Sequence, residues 1–418
     1  MLKAHSLIDK VYGWKNLWTA WRKVRRNKGA HGLDRVTIHA YEQDVEMHLR
    51  ELQRKLMEDR YEPLPVRRVY IPKASDPTQR RPLGVPTVND RVCQQAVYQV
   101  LSPLFDPGFS DRSYGFRVGR KAHDAIATAI QDGKDGFRHV VDADIASFFD
   151  RLDHVVVMSH VCAKIADGRV IRLLKSFLTA GICESGVISV PVEGTPQGGV
   201  ISPLIANIVL DAFDKAIEAK GWRHVRYADD FVILTRTAEE AATALAFAKE
   251  VLGELKLSLH ETKTRLTDFG AGFEFLGFRF RQYKLGVRPR SVEHLKDRVR
   301  SVTRRQQGRN VAAVIQQLNP ILRGWGRYFG VAEVVALYER LDGWIRMRIR
   351  AFRLKRRTRT ANGRLPNRKL TKWGLLSLHS CRPELRLSYM RARGPESGPR
   401  LLATRKPHGV AQCSNATC

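Results

Sequence analysis

Hydrophobic positions change their spacing several times along the chain, and each change marks an element. Residues 1–61 read as short helices interrupted by Asn27-Lys-Gly-Ala-His-Gly-Leu-Asp34, a stretch rich in turn-forming residues. Val66 to Ile71 alternates and is β-branched, which predicts a strand ended by Pro72. Between Lys121 and Gln131, Ala122, Ile126 and Ile130 recur at helical spacing. Phe137 to Ile145 reads as a strand, and its period of two sets Asp142 and Asp144 on one face and Val141, Ala143 and Ile145 on the other.

Ile201 to Ala219 is helical beyond Pro203, and Arg223 to Thr235 reads as two short strands around a tight turn holding Ala228, Asp229 and Asp230. Thr237-Ala-Glu-Glu240 is a capping-box pattern ahead of a helix with the stripe Leu245, Ala248, Leu252 and Leu255. Phe273 to Phe280 and Leu285 to Arg288 predict further strands. From Ser291 the signals are helical: Leu295, Val299 and Val302, then Val314 and Leu318, then a helix from about Glu333 to Lys355. Asn319-Pro320 either restarts or kinks the second of these. Beyond Arg359 Gly and Pro rise, and Gly394 to Cys418 is expected to be poorly ordered. The expected class is α+β, with an all-helical module following the mixed body. No GxGxxG turn supports a dinucleotide-binding domain.

Charge sharpens this division. The 418 residues carry 72 Lys and Arg against 42 Asp and Glu, a net +30, and 43% are hydrophobic. Such a chain can bury real cores in two to four packed units. Of the charge, 30 basic and 7 acidic residues lie at 288–418, a net +23, and a smaller basic cluster runs from Trp21 to Gly29. A single basic run is usually a solvated helix face. Here Trp325, Tyr328, Phe329, Tyr338, Trp344 and Phe352 interleave with the basic residues, which fits a folded module that grips a polyanion by releasing its counterions. Arg323, Arg327, Arg346, Arg348 and Arg350 are the candidate RNA or DNA contacts there. Six cysteines without a CxxC pair argue against a disulfide framework or zinc ribbon. Neither a signal peptide nor a membrane-spanning run is evident, so a cytoplasmic protein associated with nucleic acid, and no membrane partner, is expected.

Asp144, Asp229 and Asp230 form the candidate chemistry. Asp-Asp in a hairpin is by itself ordinary turn chemistry. The flank of Val225, Tyr227, Phe231, Val232, Ile233 and Leu234 predicts burial, where unpaired acids are unfavourable. Two unit charges about 4 Å apart repel by about 4 kcal/mol at an effective dielectric of 20, and a divalent cation removes that repulsion.

Tyr227-Ala-Asp-Asp230 resembles the reverse transcriptase signature, and its neighbours agree in order. Arg81-Pro-Leu-Gly-Val-Pro86, Tyr114-Gly-Phe-Arg117, Asp142-Ala-Asp-Ile-Ala-Ser-Phe-Phe-Asp150, Gly194-Thr-Pro-Gln-Gly-Gly-Val-Ile-Ser-Pro203 and Phe275-Leu-Gly-Phe278 resemble successive blocks of bacterial group II intron reverse transcriptases, or maturases. Asn27 to Asp34 resembles that family's N-terminal extension block, and Leu322-Arg-Gly-Trp-Gly-Arg-Tyr-Phe329 its thumb. The resemblance covers about residues 20–355. Val118, Ala146-Ser147 and Arg35 depart from residues usual in the family.

The resemblance implies a right-hand polymerase: an N-terminal extension at 1–61, fingers and palm at 62–287, thumb helices at 288–358 and a basic C-terminal segment at 359–418. It implies that Asp144, Asp229 and Asp230, with the Ile145 carbonyl, hold two Mg²⁺ ions, with Mn²⁺ as a substitute. Phe149 is the implied steric gate against a 2′-hydroxyl, Lys73 and Arg81 the grip on the triphosphate, and Gln197 the contact to sugar and base. Expected partners are intron RNA, an RNA template with a DNA primer, dNTPs and target DNA. The HNH nuclease of many members has no counterpart, because His379, His408, Glu384 and Glu396 are dispersed, so protein-catalysed DNA cleavage is not expected. Two alternatives stay open: a domesticated relative in antiviral defence or DNA repair, and a non-catalytic RNA-folding maturase. Oligomeric state is not legible.

Overall fold

The computed structural model describes residues 3–73, 76–195, 198–306, 308–355 and 361–382. Helices α1 (Ile8–Tyr12), α2 (Trp14–Asn27), α3 (Ile38–Gln43) and α4 (Val45–Met57) open the chain. Leu17, Ala20, Trp21 and Val24 make the buried face of α2, which leaves its basic residues outward. Lys28 and Gly29, both at positive φ (54° and 130°), end α2 where the turn-rich stretch was expected.

Strands β1 (Val66–Lys73) and β2 (Asp76–Val85) form an antiparallel ribbon, followed by α5 (Val88–Phe105). The sequence pattern ends β1 at Pro72, yet the strand passes through it, with Pro72 opposite Arg80. Proline is accepted where a strand has a free edge, and the next strand pairs with β1 only at Val66 and Arg67. β2 has no counterpart in the sequence reading, because Pro77, Pro82 and Gly84 erase its alternation while pairing to β1 extends it.

The central unit comprises α6 (Ala122–Lys134), β3 (His139–Asp144), α7 (His154–Lys164), α8 (Gly168–Leu178), β4 (Ile182–Glu184), β5 (Val187–Ser189), α9 (Ser202–Ala219), β6 (Arg223–Tyr227), β7 (Asp230–Thr235), α10 (Ala238–Glu254) and β8 (Arg265–Asp268). β4 and β5 complete a sheet of order β2-β1-β4-β5, while the other strands form β6-β7-β3-β8, antiparallel throughout. Alternation divides that second sheet between two hydrophobic layers. Val141, Ala143, Ile145, Phe231 and Ile233 face a core with α9 and α10. Val140, Val225, Val232 and Leu234 face another with α6 and the C-terminal helices. At α10 the cap differs slightly from the expected box: Thr237 accepts from the Glu240 N–H, but the Glu240 carboxylate reaches back to the N–H of Arg236.

The single strand expected over Phe273 to Phe280 is a hairpin, β9 (Phe273–Phe275) and β10 (Phe278–Arg281), followed by β11 (Lys284–Val287). Leu276 and Gly277 both take positive φ (50° and 81°), the geometry of a two-residue hairpin turn. The phenylalanines at 273, 275, 278 and 280 carry the apolar pattern across the turn and conceal it.

Helices α11 (Pro289–Val302), α12 (Val311–Phe329) and α13 (Val335–Leu354) build the basic module. α12 continues through Pro320 without restarting. Two short helices, α14 (Ala361–Arg364) and α15 (Asn367–Lys372), follow, and Leu365, Leu370 and Leu378 enter the same core as Leu318, Tyr338 and Ile345. Residues 361–382, grouped by sequence with the C-terminal segment, thus pack on the helical module. Residues 383–418, with Glu384, Glu396, His408 and the expected poorly ordered tail, lie outside the described residues. Among the described residues no helix is long and apolar enough to cross a membrane.

Candidate active site

The apolar flanks of β6 and β7 bury the hairpin, whose two-residue turn is a buried Ala228 and a half-buried Asp229. Tyr227 opposes Asp230 across that turn, so Asp230 is the first residue of β7 rather than part of the turn. Ala228 sits at φ 62°, a left-handed conformation that costs a non-glycine residue about 1–2 kcal/mol. In the neighbouring register Asp144 opposes Asp230, and the Ile145 N–H donates to the Asp229 carbonyl at 3.4 Å. The His260 N–H donates to the Asp144 carbonyl at 2.8 Å. Asp144, Asp229, Asp230 and the Ile145 backbone therefore lie together at one end of the sheet.

Their charge is poorly compensated. Burial, then the nearby Asp142, Asp144 and Asp229, push the Asp230 carboxyl up to about 8, and Arg288 offsets only part of this. Burial also raises Asp229, with Asp144 adding to it and Lys263 and Arg226 opposing. Asp142 is raised by burial although Arg265 Nε lies 3.0 Å from its carboxylate. Lys263 Nζ is ion-paired to Asp144. Among the described residues no three His, Cys, Asp or Glu side chains converge tightly enough to hold a metal by themselves. Hard carboxylate oxygens short of positive charge fit Mg²⁺, whose remaining ligands come from substrate phosphates and water.

Glycines set the frame. A Cβ on Gly115 would meet the Ala228 nitrogen at 2.3 Å, so Tyr114-Gly-Phe-Arg117 lies directly against the turn. Tyr114 donates its N–H to the Arg226 carbonyl at 2.9 Å, and Arg117 holds the loop through Asp106 and the carbonyls of Ser110 and Ser113. Gly194 and Thr195 donate backbone N–H groups to the carbonyls of Leu152 and Phe149, both at 2.7 Å. Half-buried Phe149 is thereby fixed beside Phe148, with ring centroids 5.2 Å apart. A cleft of about 340 Å³ opens next to it, lined by Arg68, Pro82, Gly84, Asp150 and Thr195 among others.

Arg81 is exposed on β2 opposite Ile71. Gln197 and the Lys73 side chain lie outside the described residues. Arg323 and Arg327 are exposed on α12, and Arg346 and Arg348 are half-buried on α13, where Arg348 Nε donates to Thr303 Oγ1 at 3.0 Å. Arg350 corrects the sequence reading. It is buried and spends its guanidinium on the Leu365 carbonyl and Asn367 Oδ1, so it staples α13 to the following segment rather than meeting phosphate. Lys263, Arg265 and Arg226 escaped the sequence reading. The first two meet their partners from far along the chain, without a local signal. Arg226 had one: Asn207 and Asp214 form a polar stripe at helical spacing within the apolar run of α9.

A family model described as reverse transcriptase (RNA-dependent DNA polymerase) matches residues 71–280, and one described as group II intron, maturase-specific domain matches residues 292–373. Protein YkfC of Escherichia coli strain K12 is 34% identical over 358 residues, 76% of this chain and 92% of that protein. Group II intron-encoded protein LtrA of Lactococcus lactis subsp. cremoris is 29% identical over 344 residues, 66% of this chain but only 56% of that protein. A chain of a solved partial Cas6-RT-Cas1–Cas2 complex aligns at TM-score 0.39 and 24% identity, over 60% of this chain and 43% of that one. With the two family models in tandem and a relative covered almost end to end, this chain belongs to the group II intron reverse transcriptases that carry a maturase-specific domain.

Proposed function

We propose that this chain is an RNA-directed DNA polymerase that copies intron RNA into DNA and assists the splicing and mobility of that RNA. The observation that carries this is the register of Asp144 opposite Asp230, with Asp229 in the adjoining turn and Asp230 set among like charges that Arg288 only partly offsets. In this reading the β6-β7-β3-β8 sheet is the palm, β2-β1-β4-β5 belongs to the fingers and α11 to α13 form the thumb. Asp144, Asp229 and Asp230, with the Ile145 carbonyl, would hold two Mg²⁺ ions, which when bound activate the primer 3′-hydroxyl and neutralise the departing pyrophosphate.

The chain's own residues arrange the substrates. Phe149, whose carbonyl accepts from the Thr195 N–H, would be the ring that excludes a 2′-hydroxyl. Arg81, Lys73 and Gln197 would grip the incoming nucleotide. Arg323, Arg327, Arg346 and Arg348 would meet RNA or target-DNA phosphates. The test is primer extension on an RNA template with dNTPs and Mg²⁺, comparing wild type with Asp229→Asn. Extension by wild type alone is expected; substantial synthesis by Asp229→Asn would overturn the assignment.

A further inference from the structure

The turn that carries Asp229 and leads into Asp230 rests on a charged cluster that none of these roles uses. Arg226 and Asp214 are both fully buried, joined by Nε to Oδ1 at 2.7 Å and Nη2 to Oδ2 at 2.6 Å. Arg226 Nη1 donates to the Ala228 carbonyl at 3.0 Å and to Asn207 Oδ1 at 3.1 Å. Asn207 Nδ2 in turn donates to the Gly115 carbonyl at 2.9 Å, on the far side of the turn. His224 Nε2 lies 3.2 Å from Asp214 Oδ1.

A buried ion pair is no more stabilising than a well-packed apolar pair of similar volume, because desolvation offsets the attraction. What this cluster adds is direction. A planar guanidinium locked by a bidentate carboxylate holds its Nη1 donors at fixed angles, and one of them meets the carbonyl of the strained residue preceding Asp229. Burial opposes the charge on Asp214, but Arg226 overrides it and holds the carboxyl well below the usual carboxylate range, so the clamp stays charged. Resting on the polymerase reading, we propose that Arg226, oriented by Asp214 and Asn207, is a positioning residue that fixes the Ala228 carbonyl and thereby the aim of the Asp229 and Asp230 carboxylates.

The test uses the full chain as wild type, as Arg226→Met with Asp214→Leu, and as Arg226→Lys. Five quantities are measured: kcat and KM for primer extension, the Mn²⁺ concentration that half-saturates the free protein by electron paramagnetic resonance, template–primer affinity, and the melting temperature. In the double variant kcat should fall about 100-fold, as for an ångström-scale misplacement, with KM, template affinity and melting temperature near wild type. Half-saturation by Mn²⁺ should need about tenfold more metal. Arg226→Lys keeps the charge but not the fork, and should lose about tenfold in kcat. Wild-type kcat and Mn²⁺ half-saturation in either folded variant would overturn the proposal, as would losses that merely track melting temperature and template affinity. If wild type extends no primer yet binds Mn²⁺ more tightly than both variants, the polymerase reading fails and the positioning role stands.

Discussion

Fully buried Asp214 and half-buried Asp230 lie within the same sheet-and-helix unit, and the protein treats them in opposite ways. Asp214 has its own guanidinium and is held ionised well below the usual range, although burial opposes it. Burial and three other carboxylates instead push Asp230 up to about 8. The first acid is complete as folded. The second is left among like charges with only Arg288 opposing them. A buried acid is therefore diagnostic of a site when its neighbours repeat its charge, not merely when it is buried.

The strongest way to sharpen that contrast is to replace each acid by its amide. Asp230→Asn should cut primer extension by about 10³-fold, some 4 kcal/mol of transition-state stabilisation. The same change should make the metal-free protein more resistant to urea, by about 1–2 kcal/mol, because it removes an uncompensated charge. Asp214→Asn should do the reverse to stability, costing about 3–5 kcal/mol by stranding Arg226. Equal urea midpoints for the two variants would erase the distinction.

A smaller effect should appear with pH. An Asp230 carboxyl raised to about 8 in the folded state, against about 4 unfolded, binds more protons when folded between those values. Its contribution to stability is thus fully present below about pH 4 and is lost as pH rises toward about 8. In metal-free urea titrations wild type should lose stability relative to Asp230→Asn across that window, and Mg²⁺ should flatten the difference. A constant difference would show that Asp230 is not desolvated among like charges.

The gentlest test extends the contrast to arginines. Exposed Arg323 and Arg327 should each lower the slope of log RNA affinity against log salt by about 0.7–0.9 when changed to Gln. Arg350→Gln should leave the slope alone and lower the melting temperature, since Arg350 already serves Leu365 and Asn367. A slope change at Arg350 would reverse the correction made to its role.

What was legible in the sequence follows from how local each signal is. β3, the paired strands around Asp229 and the cap at Thr237 depend on neighbours within a few residues, and their patterns survived into the structure. β2 and the turn at Leu276-Gly277 depend on pairing and backbone angle, which proline, glycine and repeated phenylalanines disguised. The three acids were readable as a constellation because the block order was familiar. Lys263 beside Asp144 was not, because only the fold brings residues so far apart in the chain together. Arg350 was misread because a basic residue carries no mark of which side of a helix it lies on until the following segment has packed.

The second hydrophobic layer of the β6-β7-β3-β8 sheet is also the core of the helical module: Val232 and Leu234 share it with Phe278, Leu318, Tyr338 and Leu370. The boundary between the two family matches, residues 280 to 292, is therefore a seam in the sequence and not in the solid. Tyr328 bridges it, donating its hydroxyl to the Leu276 carbonyl at 2.9 Å while its own carbonyl meets His123 Nε2 at 2.7 Å. Severing the chain after Val287 would strip the sheet of one wall, so the two parts should melt in a single calorimetric transition. A load applied to α12 is then borne by the strands that carry Asp144 and Asp230, which makes the helical module and the acidic end of the sheet parts of one mechanical body.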